Sequence, residues 1–373
     1  MKKKILLISY RLGYNNLLYW NNILTIIKKA YPKFRVFTAF PEQETKDKSV
    51  KTEKQLFGIK YYSNRGKVNA SLFYFPLPFF IFKIIRFKPD LIILNEFNLN
   101  SLYVLLFKFM LPNTKTLLLV ESDPFLGHQN KHSKFRNLIR RYVANNADKI
   151  LTNNNLGFDY LTNFLIVKHH KILVAPYLVS EPPSYNNSFV QNKYTVEKIK
   201  FLFVGQLIER KGLIYVLQAI AKLSTKDKSK IQFDIIGEGD EMEILKKFKL
   251  DNELNDVNIL GYIDYEKVSV FYENADCFIL NTFHDYRALV GFEALAYGCA
   301  MIGSEYDGAR FETIHEGKNG FIIDPKNIES IKMALTRLIN DAVLRNSFKG
   351  YSKKLSANFT LVKGNENILN AIK

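Results

Sequence analysis

The sequence predicts an α/β protein made of two Rossmann-like, doubly wound parallel-sheet domains facing a central cleft. Three observations predict it. Short apolar runs alternate with stretches of 3.6-residue periodicity along the whole chain, the pattern of parallel strands covered by helices on both faces. The alternation breaks once, at Ser180–Lys193, where two prolines and several Asn and Ser residues read as a linker. The length, 373 residues, suits two domains of ordinary size.

Taken in order, strands are expected in the first half at Ile5–Ser9, Arg35–Phe40, Leu91–Asn95, Thr116–Val120, Lys149–Thr152 and Ile172–Ala175. In the second half they are expected at Lys200–Val204, Gln232–Ile236, Val257–Leu260, Cys277–Asn281, Met301–Ser304 and Gly320–Ile323. Leu213–Leu223 and Glu329–Asn340 carry helical periodicity. The expected domains are 1–182 and 198–351, joined by a linker at 183–197. A helix at about 352–373 is a candidate to pack back onto the first domain. The start, Met-Lys-Lys-Lys, imitates a signal peptide, but its apolar run ends after four residues and no small-residue cleavage site follows. A buried first strand is therefore expected. No stretch reaches the ~18 apolar residues of a spanning helix. The expected location is the cytoplasm, peripheral on the inner face of the cytoplasmic membrane.

Apolar residues at 47% and charged residues at 24% are ordinary for a folded chain. They exclude a disordered tail, a collagen and a disulfide scaffold. The only cysteines, Cys277 and Cys299, each lie in an apolar run and read as buried reduced thiols. No Cys/His zinc spacing is present. The unusual feature is a net charge of +17 combined with 30 Phe and 21 Tyr. Nucleic acid, an anionic membrane surface or a poly-phosphate ligand would each fit that charge.

The second half carries the chemistry. Phe201–Gly212 reads as a strand, a loop and a helix start. Gly205 turns the chain off the strand, Gln206 follows it, and Arg210 and Lys211 lie where they can meet a diphosphate. There is no Walker loop. Gly237 and Gly239 form a tight turn after the next strand, and Gly261-Tyr262 ends another. With a helix starting near Leu289 and Val290, Asp285 lies in the preceding loop. Glu293, eight residues on, lies about one turn inside. Such a helix start offers free N–H groups and a positive dipole end to phosphate. Glu293 can accept from ribose hydroxyls and Asp285 from sugar hydroxyls.

These segments, in this order and spacing, resemble the second domain of retaining family 4 glycosyltransferases of GT-B fold, the group 1 glycosyltransferase domain. The family pattern runs V-G-R-L…K-G, then G-x-G, then Glu-x7-Glu with E-A-x-A-x-G. Gly205, Lys211 and Gly212 match the first part, Gly237 and Gly239 the second, and Glu293, Ala294 and Gly298 the third. Gly308, Asn319 and Gly320 fit the downstream pattern, so the match covers about Phe201–Asp341. Three positions depart. Gln206 stands for the phosphate-binding Arg, whose charge Arg210 can supply. Asp285 stands for the first Glu, and Ala300 for the common Pro.

The resemblance implies transfer of a sugar, with retained configuration, from a nucleotide-diphosphate sugar to a hydroxyl of a glycan or lipid-linked acceptor. The implied enzyme is of hexosyltransferase type, needs no metal or other cofactor, and serves polysaccharide, lipopolysaccharide or glycolipid synthesis. It makes Lys211, Asp285, Glu293 and Arg210 the candidate catalytic residues. Gly13, Gly205, Gln206, Gly237, Gly239, Tyr262, Leu289, Val290 and Glu293 become the candidates for holding the donor. A GT-B-fold nucleotide-sugar epimerase is the alternative. It would share the cleft but not the Arg-Lys-Gly loop followed by the Asp285–Glu293 pair.

In the first half, Glu121, Asp123 and His128 follow a strand where relatives meet their acceptor, although surface or capping roles fit these residues as well. Ser71–Lys88 is rich in Phe and Ile. Pro76 and Pro78 break it, and a short helix at about Phe79–Phe87 is expected, apolar on nearly every face with Lys83, Arg86 and Lys88 interspersed. Leu102–Leu111 is almost as apolar. Two buried helices are one reading. Insertion into an anionic lipid surface is the other, with Arg136, Arg140 and Arg141 adding to the patch. No RRM, KH or helix-turn-helix signature supports nucleic acid.

Overall fold

The computed structural model describes residues 3–9, 17–38, 47–62, 70–77, 79–121, 134–180 and 198–373. They divide into two compact units, one of residues up to Leu178 with Val362–Lys373, the other of Val179–Leu361. Gly13, Asp123 and His128 lie outside the described residues.

The first unit is built on β1 (Ile5–Ile8), β2 (Phe34–Thr38), β3 (Lys51–Lys54), β6 (Leu91–Asn95), β7 (Lys115–Val120), β8 (Lys149–Thr152) and β9 (Ile172–Val174). They form one sheet in the order β3-β2-β1-β6-β7-β8-β9. Every neighbouring pair is parallel. Every residue of β1 and β6 is buried, because covered parallel strands have no solvent face. Three strands were not expected. β3 reads Lys-Thr-Glu-Lys and occupies a sheet edge. It carries no apolar run, and Glu53 there pairs with Arg35 of β2 at 3.1 Å. β4 (Leu56–Tyr62) and β5 (Ala70–Pro76) form a separate antiparallel hairpin. Pro76 sits at the end of β5, a position a strand tolerates.

The Phe-rich helix runs Phe80–Phe87 and is buried on one side only. Phe80, Ile81 and Ile84 are buried, while Phe79 and Phe82 are 73% and 57% exposed. The apolar stretch after β6 forms a helix at Leu99–Leu106, followed by a single 3₁₀ turn at Lys108–Met110. Asn98 caps it, accepting from the N–H groups of Asn100 and Ser101. The expected C-terminal helix is two helices, Ala342–Ser356 and Leu361–Ile372. Residues of the second join the first unit. Asn367 donates to the Pro176 carbonyl at 2.7 Å and Lys3 to the Ile372 carbonyl at 2.6 Å.

The second unit holds β10 (Ile199–Val204), β11 (Ile231–Ile236), β12 (Val257–Gly261), β13 (Cys277–Leu280), β14 (Ala300–Ser304) and β15 (Gly320–Ile323). Their order is β12-β11-β10-β13-β14-β15, all parallel. Apolar cores lie around Phe203, Val216 and Leu335, and around Phe278, Ala294 and Met301. Cys277 and Cys299 are buried free thiols, and burial pushes Cys299 up to about 12. The strand order reverses between β10 and β13. At such a switch point the loops leave in opposite directions and open a crevice at the carboxyl ends.

Candidate functional site

The loops that follow β10 and β13 flank this crevice, and backbone contacts fix the first of them. A Cβ on Gly237 would lie 1.8 Å from the Gly205 carbonyl oxygen, and one on Gly239 2.2 Å from that of Leu207. Only glycine lets these backbones meet. Leu207 then donates to the Glu238 carbonyl at 2.8 Å, and Glu241 to that of Leu207 at 2.9 Å. Gly237 donates to Gly261 at 2.8 Å. The loops after β10, β11 and β12 are thus laced together, which gives the two-glycine turn a packing role that its sequence did not reveal. Gln206 and Tyr262 are exposed on this rim.

Glu209–Lys211 is a single 3₁₀ turn, and it turns Lys211 inward, 8% exposed. The Lys211 ammonium lies 2.5 Å from Asp285 Oδ2, and Arg210 Nη1 lies 3.0 Å from the same oxygen. Arg210 also donates to the His284 carbonyl at 2.6 Å. Its own carbonyl accepts from the Phe283 N–H at 2.7 Å and from Thr282 Oγ1 at 3.2 Å. Asn281, fully buried at the end of β13, donates to the Gly212 carbonyl at 2.8 Å. The loops after β10 and β13 are therefore one assembly. Burial raises the Asp285 carboxyl, but the charges of Lys211 and Arg210 outweigh it and hold the group below the usual carboxylate range. Two cations and one carboxylate leave a net positive site.

The helix Leu289–Tyr297 begins at Leu289 and Val290 with no side-chain hydrogen bond from its cap, Ala288. Its first N–H groups have no partner within the helix. One turn in, Glu293 is 4% exposed. Its Oε1 accepts from Ser180 at 2.6 Å and Tyr265 at 2.9 Å, and its Oε2 from Tyr272 at 3.0 Å. Burial raises its carboxyl, and the three hydroxyls partly offset that rise. None of the three partners was found from sequence. The available signal was spacing, since Tyr265 and Tyr272 are seven residues apart on one helix and so share a face. Tyr297 stacks on Tyr272 with centroids 5.5 Å apart and helps fix its ring.

In the first unit, Glu121 follows β7 and its N–H donates to Glu96 Oε1. Its own Oε1 is buried without a hydrogen-bond partner. Burial, then the Glu96 charge, push this carboxyl up to about 8, so at neutral pH it is mostly neutral and able to donate. Among the described residues no cluster of three or more His, Cys, Asp or Glu is arranged to hold a metal ion. No helix there is long and apolar enough to cross a membrane.

Residues 185–355 match the family model described as glycosyl transferases group 1. The poly(glycerol-phosphate) alpha-glucosyltransferase of Bacillus subtilis is 28% identical over 165 residues, which is 44% of this chain and 24% of that protein. A Campylobacter jejuni alpha-1,4-N-acetyl-D-galactosaminyltransferase, named for an undecaprenol-linked GalNAc substrate, is 25% identical over 195 residues, 52% of either chain. The chain thus spans about a quarter to a half of the length of these curated relatives. Among solved structures, sucrose-phosphate synthase from Thermosynechococcus elongatus aligns with a TM-score of 0.74 at 17% identity, covering 99% of this chain and 98% of that one. Anabaena HepE in complex with UDP aligns with a TM-score of 0.76 at 14% identity, covering 99% of each chain. At these identities the alignments establish the fold, GT-B.

Proposed function

We infer that this chain, whose residues 185–355 belong to the group 1 glycosyltransferases, transfers a sugar from a nucleotide-diphosphate sugar to an acceptor hydroxyl with retained configuration. The observation that carries this is the Lys211–Asp285–Arg210 cluster at the switch point of the second sheet. Cleavage of the glycosidic bond to a diphosphate leaves extra negative charge on the phosphate. Lys211, Arg210 and the N–H groups at Leu289 and Val290 are preorganised to stabilise it. The two side chains provide cationic neutralisation, so the reading calls for no metal or other cofactor. Glu293 exchanges one of its hydroxyl partners for a ribose hydroxyl, and Asp285 turns toward the sugar once the phosphate engages the cations. The departing phosphate assists deprotonation of the acceptor, which attacks from the same face. Solved structures of like fold carry UDP with glucose or with GlcNAc, which supports a hexosyl donor.

The test is thermal shift against the nucleoside diphosphates UDP, GDP and ADP. A nucleotide at a hundred times its Kd stabilises by about 2.7 kcal/mol, so one of them should raise the melting temperature by several degrees. No response to any of them refutes the reading.

The acceptor is proposed to be a lipid-linked or surface glycan met at an anionic membrane surface, on its cytoplasmic side. Phe80 and Tyr103 touch edge-on at 5.8 Å, and the Leu99–Leu106 helix packs on Lys134–Asn146. The Leu99–Leu106 helix of the first unit therefore touches each of the other two. Between them they expose Phe79, Phe82, Leu106, Phe135 and Leu138, with Phe109 in the adjoining 3₁₀ turn. Lys83, Arg86 and Arg136 are exposed beside them, and basic residues at an anionic surface contribute about 1 kcal/mol each. Phe79→Glu with Phe82→Glu should abolish co-sedimentation with anionic vesicles while the melting temperature holds. Unchanged co-sedimentation would remove the lipid surface from the reading. Phe80 and Ile84 are fully buried, so charges placed there would test packing instead.

A further inference from the structure

One carboxyl beside the crevice has no part in the mechanism above. Asp307 follows β14 and is 1% exposed. Its backbone is clamped against Asp285. The two residues form an isolated parallel bridge, in which the Asp285 N–H donates to the Tyr306 carbonyl at 3.2 Å and the Gly308 N–H to that of Asp285 at 2.9 Å. A Cβ on Gly308 would lie 2.0 Å from the Tyr286 carbonyl oxygen, so the approach requires glycine. The Asp307 side chain reaches the start of the Leu289–Tyr297 helix. Its Oδ1 accepts from the N–H groups of Ala288 at 3.4 Å and Ala309 at 3.3 Å. Its Oδ2 is buried without a hydrogen-bond partner.

The charged surroundings are mixed. Asp285 and Lys211 act on the carboxyl directly, and Arg210 is paired to Asp285. Arg310 donates to the Asp307 backbone carbonyl at 3.1 Å. Arg287 and Glu312 pair with each other, and His284, Glu305 and Tyr306 lie on the same loops. No cation is bonded to Oδ2. An ionised Asp307 would thus set a second negative charge beside Asp285, at the helix start where the diphosphate is proposed to land.

We propose that Asp307 is a proton-linked positioning residue of the donor site, neutral whenever a nucleoside diphosphate occupies the crevice, so that binding takes up a proton. This rests on the donor-site reading above. In the free protein, burial and then the Asp285 charge push the Asp307 carboxyl up to about 7. A bound diphosphate draws Lys211 and Arg210 to itself and adds its own negative charge, and both raise the group further. Affinity is then level with respect to this group below the free value. It falls as pH rises from the free value to the bound one, by up to about tenfold per pH unit.

The experiment is calorimetric titration of UDP, or of whichever diphosphate the thermal-shift screen selects, into wild type and Asp307→Asn. It runs from pH 6 to 9 in two buffers of different ionisation enthalpy. The nucleotide's own phosphate titrates alike in both proteins and cancels in the comparison. Wild type should lose about tenfold in affinity between pH 7 and 8.5 and take up more protons than the variant. Asp307→Asn should match wild type at pH 6 and keep its affinity above pH 7. Parallel pH slopes overturn the proposal.

Melting without ligand gives a separate reading. A carboxyl whose folded value lies above its unfolded one loses its stabilising share as pH rises through the folded value. Asp307→Asn should therefore melt above wild type at pH 8, with the gap narrowing toward pH 5. No gap at pH 8 overturns the titration of Asp307 itself. A gap together with no nucleotide binding at any pH overturns the donor-site reading, and the linkage with it.

Discussion

Lys211→Ala is expected to lower turnover by about 10²–10³-fold, the loss seen when one preorganised donor to developing charge is removed. The loss should fall mainly on kcat, because the charge on the leaving phosphate grows only as the glycosidic bond breaks. Stability should change less. Removing one partner of a buried ion pair costs about 3–5 kcal/mol when the other is left unpaired, but Arg210 remains 3.0 Å from the same Asp285 oxygen. Lys211→Arg keeps the charge but brings a bulkier planar group into a site that is 8% exposed, so only partial rescue is expected. Steady-state kinetics with the selected donor, beside melting curves, give the result. Near-normal turnover in Lys211→Ala would take Lys211 out of the site.

Replacing Glu293 should produce two separable losses. Glu293→Ala removes the acceptor shared by Ser180, Tyr265 and Tyr272. Tyr272 is fully buried, and leaving its hydroxyl unsatisfied costs about 1–3 kcal/mol, while the half-buried Ser180 and Tyr265 keep each other at 3.3 Å, so this variant should melt below wild type as well as lose activity. From sequence alone Glu293 reads only as a ligand residue, whereas its burial and its three hydroxyl partners give it a packing role as well. Glu293→Gln keeps one acceptor oxygen and the shape. It should recover most of the melting temperature while turnover stays down about a hundredfold, in line with the loss of one aligned polar group in a preorganised site. Full turnover in Glu293→Gln would confine Glu293 to a structural role.

The fold was legible where burial acts on both faces of a strand. β1, β6 and β13 are buried along their whole length, so their sequences are apolar nearly throughout. β3 escaped notice because an edge strand satisfies its side chains with ion pairs. The β4–β5 hairpin escaped because Pro76, at the end of β5, reads as a break. Of the donor site, the cations and the two carboxylates eight residues apart were visible as a spaced motif. The pairing of Lys211 and Arg210 on one Asp285 oxygen was not, since it joins loops 74 and 75 residues apart. Asp307 was invisible for another reason. An aspartate between Tyr306 and Gly308 looks like any solvated turn, and only the close backbone approach to Asp285 buries it.

The returning helix Leu361–Ile372 has a consequence for synthesis. Chains emerge from the ribosome amino end first, and domains tend to fold as they appear. Here the earliest-made unit contains Ile368, Ala371 and Ile372, all buried, and the Lys3 ammonium bonds to the Ile372 carbonyl. That surface stays uncovered until the whole second unit has been translated. Shortening the chain after Ser356, just past the family match, would make the uncovered state permanent. The damage would fall on the unit at the opposite end of the sequence.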